Sequence, residues 1–270
     1  MAAFDESTYG ERVADVYDEL FAHRANTVDA VEYLALAAGK GRVLELGIGT
    51  GRIALPLAER GIRVSGIDSS PRMVEQLRLR AGGDAIPVTI GNFADVKVSG
   101  KFSLIYVVFN TFFGGLLSQE HQVRCFERVA RRLTDNGIFV IEAFFPDVAR
   151  FDRGQRTSVV SLDIDRTVLD AVMHDSINQC VSASHIVIGP DGIRQFPIRL
   201  RYAWPSEMDL MARLAGMRLR ARYGGWKGEP FTASSPLHVS IYEKVPVVEP
   251  EPKRQRRAVR NRRQQPRVRR

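Results

Sequence analysis

The sequence predicts an α/β fold: a parallel sheet covered by helices on both faces, with a smaller antiparallel sheet inserted late in the chain. Three observations predict it. Apolar runs of strand length alternate with helix-like segments between residues 42 and 144. Several of these runs are apolar throughout, as strands buried on both faces are. After residue 146 short strand-like runs follow one another, and Gly189-Pro190-Asp191-Gly192 marks a turn between the last two.

The elements follow in order. Residues 10–37 read as two amphipathic helices, with Val13, Val16, Tyr17 and Leu20 on one face of the first. A strand over 42–46 gives way to a helix over 51–61, and a strand over 62–67 to a helix over 71–80. Ser70 supplies an N-cap oxygen to the latter, and Pro71 the fixed φ suited to a first helical position. Strands over 86–90 and 104–109 come next, then a long helix over 118–133 and a strand over 137–144. The runs at 157–164, 167–174, 176–189 and 193–204 predict an antiparallel meander of three or four strands. A helix over 205–216, with Ser206 as its cap, and strands over 217–223 and 238–244 complete the chain.

Composition narrows the class. The 270 residues are 44% hydrophobic, enough for one large domain with an insertion. No run of eighteen apolar residues is present, and the opening MAAFDESTYGERV has no apolar signal core, so a cytoplasmic protein away from membranes is expected. Cys125 and Cys180 are far apart and form no CxxC, which argues against a disulfide framework or a zinc site. The net charge of +8 belongs to the end of the chain: residues 253–270 hold ten Lys and Arg and no acid, and without them the charge is −2. From about residue 245 the composition predicts disorder.

The stretch RVLELGIGTGRIALPLAERGIRVSGIDSS, residues 42–70, carries the chemistry. A strand that turns into a helix within a few residues needs glycine, which permits both the tight turn and close approach of a ligand. A dinucleotide site wants G-x-G-x-x-G, but the third glycine of that pattern would fall on Arg52. The spacing is instead E-x-G-x-G-x-G, with Glu45, Gly47, Gly49 and Gly51.

In these residues the chain resembles the class I S-adenosylmethionine-dependent methyltransferases. VLELGIGTG, then GIDSS with Asp68 ending the second strand, then GNFAD over 91–95, then an apolar strand ending in FNTFF over 109–113, match that family's motifs in order. The resemblance covers roughly residues 10–245. It implies a seven-stranded Rossmann-like methyltransferase sheet with helices on both faces, an N-terminal helical lid over 1–37, a cofactor-binding core over 38–146, an inserted antiparallel β subdomain over 147–204, a closing helix and strands over 205–245, and a basic tail over 246–270. It also implies S-adenosyl-L-methionine as cofactor, bound by Glu45, Gly47, Gly49, Gly51, Asp68, Ser69, Met73, Asn92, Phe93 and Phe109. Asp68 would accept from the ribose hydroxyls and Asn92 from the adenine amino group, with Asp95 a competitor.

Other positions stay open between two readings. Tyr17 is either a lid residue closing over the cofactor, and so a catalytic candidate, or a core aromatic. His121 is either a general base or a helix-surface histidine. Asn110 and Phe112 are either acceptor contacts or turn and packing residues, and Trp226 either faces the substrate or anchors the last strands. No metal site is expected. FNTFF replaces the N/D-P-P-Y/F motif of base-modifying members, so the resemblance points to the small-molecule branch, akin to amino-sugar and glycine N-methyltransferases. The expected reaction is in-line methyl transfer to nitrogen or oxygen of a small-molecule acceptor, and the inserted sheet is a candidate homo-oligomer contact. The alternatives are an RNA methyltransferase whose Arg-rich tail grips backbone phosphates, and a methyltransferase-like binding module. The tail has no interleaved aromatics to stack on bases.

Overall fold

A computed structural model describes residues 4–21 and 26–246, with only the backbone of residues 20 and 21. The expectations for Leu20 and for the basic tail lie outside the described side chains and residues. Three short helices, α1 (Thr8–Val13), α2 (Tyr17–Phe21) and α3 (Thr27–Ala38), open the chain. Then β1 (Arg42–Leu46), α4 (Ala54–Glu59), β2 (Arg63–Asp68), α5 (Pro71–Arg78) and β3 (Val88–Ile90) alternate. They are followed by β4 (Phe102–Val107), α6 (Thr111–Gly114), α7 (Gln119–Arg132) and β5 (Leu133–Phe144). Four antiparallel strands come next: β6 (Gln155–Leu162), β7 (Thr167–Asp175), β8 (Cys180–Gly189) and β9 (Gly192–Arg201). Helix α8 (Pro205–Leu214) and strands β10 (Met217–Tyr223) and β11 (Leu237–Lys244) close the chain.

The large sheet has seven strands in the order β10-β11-β5-β4-β1-β2-β3. β3, β2, β1, β4 and β5 run parallel, whereas β11 is antiparallel to both β5 and β10. From β1 the chain first adds strands on one side and then crosses to the other. The order therefore reverses between β1 and β4, and a crevice opens there at the carboxyl ends of the strands. Each face buries its own apolar cluster. Phe102, Phe126, Phe139 and Tyr242 pack with α7 and α8 on one face, and Leu34, Leu57, Leu104 and Tyr106 with α3 and α4 on the other. The second sheet, β6-β7-β8-β9, is the predicted meander with all four strands.

Local chemistry explains most boundaries. Ser70 caps α5 by accepting from the Met73 N–H at 3.2 Å, with Pro71 next. Several expected bounds shift. The 10–37 segment forms three helices, because the chain turns at Asp15, which reaches Arg72 of α5 at 2.6 Å. The helix expected from residue 51 begins at Ala54, since Gly51 with φ +81° still belongs to the turn. β4 stops at Val107 because Phe109 and Asn110 both adopt left-handed φ, 56° and 65°. β3 covers only Val88–Ile90, and β5 begins four residues early, at Leu133. Ser206 does not cap α8: Trp204 occupies that position without a side-chain bond, and Pro205 opens the helix.

The N-terminal segment is fixed over the crevice largely by polar bonds. Ser70 Oγ donates to Glu11 at 2.6 Å, Thr50 Oγ1 donates to Asp18 at 3.0 Å, and Asp18 pairs with Arg80. Arg166, at the approach to β7, pairs with Glu19 at 3.0 Å. Close approach is needed as well: a Cβ on Gly10 would fall 2.6 Å from that of Ser70.

Candidate functional site

The site is a pocket at the carboxyl ends of β1, β2 and β4. Its floor is the loop after β1. Gly47 and Gly49 have φ of 72° and 54°, which L side chains resist, and a Cβ on Gly47 would collide with Thr111. Gly47 and Ile48 both donate backbone N–H to the Ile67 carbonyl, at 2.8 and 3.0 Å, so the loop is tied to the end of β2. Asp68 sits at that end, 8% exposed. Its Oδ2 accepts from the Gly49 N–H at 2.7 Å and its Oδ1 from the Ser70 N–H at 2.9 Å. Burial raises its pKa, and these backbone donors oppose the rise.

Glu45 is the second acid. It ends 3% exposed, accepting from the Tyr106 hydroxyl at 2.8 Å. Burial pushes its pKa up to about 8, against the Tyr106 hydrogen bond; Asp68 adds to the rise and Arg52 opposes it. Arg52 faces the same pocket, its guanidinium 5.1 Å from the Tyr17 ring centroid and 4.5 Å from that of Phe109.

The loop after β4 is held in an uncommon shape. Two successive non-glycine residues, Phe109 and Asn110, have left-handed φ. Two side chains hold them there. Glu142 of β5, 4% exposed, accepts from the Phe109 N–H at 2.8 Å, and Asn110 Oδ1 accepts from the Phe144 N–H at 2.6 Å. Glu142 also accepts from Asn26 Nδ2 at 3.3 Å, which links this loop to the start of α3.

Most sequence-predicted positions converge on the pocket. Glu45, Gly47, Gly49, Asp68, Ser69, Met73, Phe93, Phe109, Asn110 and Tyr17 all line it. Five do not. Gly51 faces Leu77 and Leu55, so it shapes the turn rather than the cavity. Asn92 uses its side-chain oxygen to accept from the Ala94 N–H at 2.8 Å, so it serves its own turn, and its rival Asp95 pairs with Arg124 at 3.1 Å. Phe112 is fully buried between Phe113 and Phe126. Trp226 is 6% exposed and packs on Tyr33, 5.6 Å between rings, as an anchor of the core. His121 lies in the first turn of α7 with its Nδ1 3.1 Å from Glu6, behind the pocket wall rather than in it.

Sequence reasoning missed the residues that arrive from far along the chain. These are Glu6, Tyr9 and Gly10 from the N-terminal segment, Ile198 and Leu200 from β9, and Arg52. Arg52 was legible as the residue that breaks G-x-G-x-x-G, and Ile198 and Leu200 as alternate positions of one strand. Nothing local marks Glu6 or Tyr9.

The donor set fits S-adenosylmethionine. Asp68 offers a carboxylate to a ribose diol, Met73 and Phe93 offer apolar walls to adenine, and Arg52 offers a cation to a carboxylate. Glu45, beside the Gly47 cradle, offers an acid to an ammonium group. The fold and this pocket define a class I methyltransferase. Comparison with known proteins agrees. A family model described as a methyltransferase domain matches residues 43–137. The structure of the CcbJ methyltransferase from Streptomyces caelestis superposes with a TM-score of 0.82 at 38% identity, over 90% of this chain and 100% of that one. The cypemycin N-terminal methyltransferase of a Streptomyces species is 28% identical over 89% of this chain and 99% of its own. The S-adenosylmethionine-bound amino pentose methyltransferase of Micromonospora echinaspora shares the fold, with a TM-score of 0.65 at 20% identity, over 85% of this chain and 97% of that one. The chain belongs to the class I S-adenosylmethionine-dependent methyltransferases, and S-adenosyl-L-methionine is its cofactor. Among the described residues no helix is long and apolar enough to cross a membrane, and no cluster of His, Cys, Asp or Glu is arranged to hold a metal ion.

Proposed function

We propose that the enzyme methylates an amine nitrogen of a small-molecule acceptor enclosed beneath the inserted sheet. One observation carries this reading: the pocket is roofed. Ile198 and Leu200 of β9, and Tyr9, Gly10 and Tyr17 of the N-terminal segment, form walls of the same cavity as the glycine loop. A roofed cavity suits a small acceptor or a chain end better than the middle of a polymer. One relative supports the nitrogen: the cypemycin enzyme is named for an N-terminus.

When bound, S-adenosylmethionine would supply an activated methyl group open to in-line attack by an amine lone pair, with the methyl–sulfur bonding pair going to sulfur. This chain's own residues then have binding and alignment to perform. Asp68 and Arg52 hold the two polar ends, Met73 and Phe93 the ring, and Glu45 the amino-acid terminus. Phe109 and Asn110, locked by Glu142, set the wall where cofactor and acceptor meet. Tyr17, whose ring lies against Arg52, closes the lid over that point. Among the described residues no histidine lines the pocket, which suits an amine, because an amine needs only to arrive deprotonated.

The test is transfer of labelled methyl from S-adenosylmethionine to a panel of primary and secondary amines, matched alcohols and a short RNA. Turnover of amines alone is expected. Turnover of the RNA, or of alcohols in preference to amines, would overturn the reading.

A further inference from the structure

Among the described residues three carboxylates line the pocket: Glu6, Glu45 and Asp68. Glu45 and Asp68, near the ends of β1 and β2, suit the ammonium group and the ribose diol of the cofactor. Glu6 comes from the N-terminal segment, and neither of those groups needs it.

Contacts place Glu6 at one end of the pocket. Its backbone carbonyl accepts from Ser69 Oγ at 3.0 Å, and Ser69 directly follows Asp68. Its carboxylate Oε1 lies 3.1 Å from His121 Nδ1, in the first turn of α7. Glu6 therefore bridges the end of β2 and the start of α7. The two apolar walls matched to adenine stand at this end as well. A Cβ on Gly10, four residues beyond Glu6, would fall 3.1 Å from the Met73 side chain. Phe93 packs so closely on Gly115, just before α7, that a Cβ there would run into its ring. Tyr17, Arg52 and Phe109 gather separately from this group.

Adenine carries an exocyclic amino group, which donates and needs an acceptor. The resemblance gives that role to Asn92, but Asn92 is not part of the pocket lining and its amide oxygen accepts from the Ala94 N–H. Asp95 is also outside the lining and pairs with Arg124 and Lys97. The Ser69 and Ser70 hydroxyls donate to Glu6 and Glu11. Tyr9 is a neutral competitor on the same segment, and bonds to an ionised acceptor are the stronger ones. The Glu6 side chain is three-quarters covered, and a carboxylate has lone pairs on both oxygens to offer.

We infer that Glu6 accepts from the adenine amino group of the cofactor, so that the N-terminal segment reads the base bound by residues 45–93. His121 is then a positioning residue, which fixes the Glu6 carboxylate from α7. The inference rests on the placement of adenine between Met73 and Phe93.

Calorimetric titration of the full chain with two ligands tests it: S-adenosylhomocysteine, and the analogue with hydrogen in place of the adenine amino group. The wild type should bind the first at least about tenfold more tightly, since a charged acceptor left unpaired discriminates strongly. Glu6→Ala should bring the two affinities within about twofold of each other, by weakening S-adenosylhomocysteine. Asn92→Ala and Tyr9→Phe should leave the ratio as in the wild type. The ratio is read within one variant, so a change in overall stability does not create it. No preference in the wild type, or a preference that survives Glu6→Ala, would overturn the inference. Equal weakening of both ligands in Glu6→Ala is that second case, and would mean that Glu6 only fastens the segment. Phe93→Ala separates the inference from its premise and should weaken both ligands. Unchanged affinities there would overturn the placement of adenine and the inference with it. Weakening there, with an undiminished preference in Glu6→Ala, would overturn the inference alone.

Discussion

The two halves of the pocket are built differently. The cofactor half comes from one stretch, residues 45–93, in which a glycine loop is tied by backbone bonds to the strand beside it. Gly47 and Ile48 bond Ile67, and Asp68 bonds back to Gly49. The half proposed for the acceptor is assembled from the N-terminal segment, β9 and the loop after β4. It is held by side chains that reach across the chain, such as Glu142 to Phe109 and Arg166 to Glu19. The first half can be rigid because its bonds are local and buried. The second relies partly on exposed ion pairs, each worth about 0–1 kcal/mol. Cofactor binding can thus be preorganised while the acceptor side keeps the freedom to open, and acceptor preference can change with the insert while the glycine loop stays the same.

The largest effect should come from a residue that belongs to neither half. Phe112, open in the sequence between acceptor contact and packing residue, fills the core against Phe126. Phe112→Ala should destabilise the protein by about 3–5 kcal/mol in chemical denaturation. A loss of acceptor affinity without loss of stability would restore it to the site. Next comes the joint between the halves. Glu142→Ala leaves the Phe109 N–H without its carboxylate and frees the left-handed pair. Hydrogen bonds to charged groups are worth about 1.5–3 kcal/mol, so kcat/KM should fall roughly 10- to 100-fold. Cofactor affinity should change much less, and equal losses in both would show that the halves are one unit.

A third effect belongs to the floor of the cofactor half. Glu45 has a pKa of about 8 in the folded chain, raised by burial, and an ordinary carboxylate pKa when unfolded. Between those values the folded state binds more protons than the unfolded one, so Glu45's contribution to the stability of the cofactor-free protein falls as pH rises from about 5 to 8 and levels off above. Glu45→Gln should flatten that decline by at least about 1 kcal/mol, since one pKa unit is worth about 1.4 kcal/mol. Denaturation curves at several pH values measure it, and an unchanged slope would mean that Glu45 is ionised.

The same contrast explains what the sequence disclosed. The parallel strands, the Ser70 cap, the glycine loop, Asp68, Met73 and Phe93 are legible because each rests on neighbours within a few residues. The positions that stay open in the sequence are decided by contacts far along the chain. Phe112 and Trp226 are large aromatics whose side is decided by packing against Phe126 and Tyr33, far away in sequence. The resemblance sets Asn92 against the adenine amino group, but its amide oxygen stands two residues before the Ala94 N–H and accepts from it. His121 differs from a pocket histidine only in which side of α7 it occupies, and that depends on Glu6. Glu142 has no local signal, because it acts only through Phe109, a partner that the fold brings in.

The most direct test of the cofactor half is calorimetric titration of the full chain with S-adenosylhomocysteine, for the wild type and for Asp68→Ala, with NAD as the control. The wild type should bind S-adenosylhomocysteine with micromolar affinity and should not bind NAD. Asp68→Ala should lose roughly 100-fold, as expected for removing a charged hydrogen-bond acceptor worth about 3 kcal/mol. Equal affinity in the two proteins would contradict the placement of the cofactor against the end of β2.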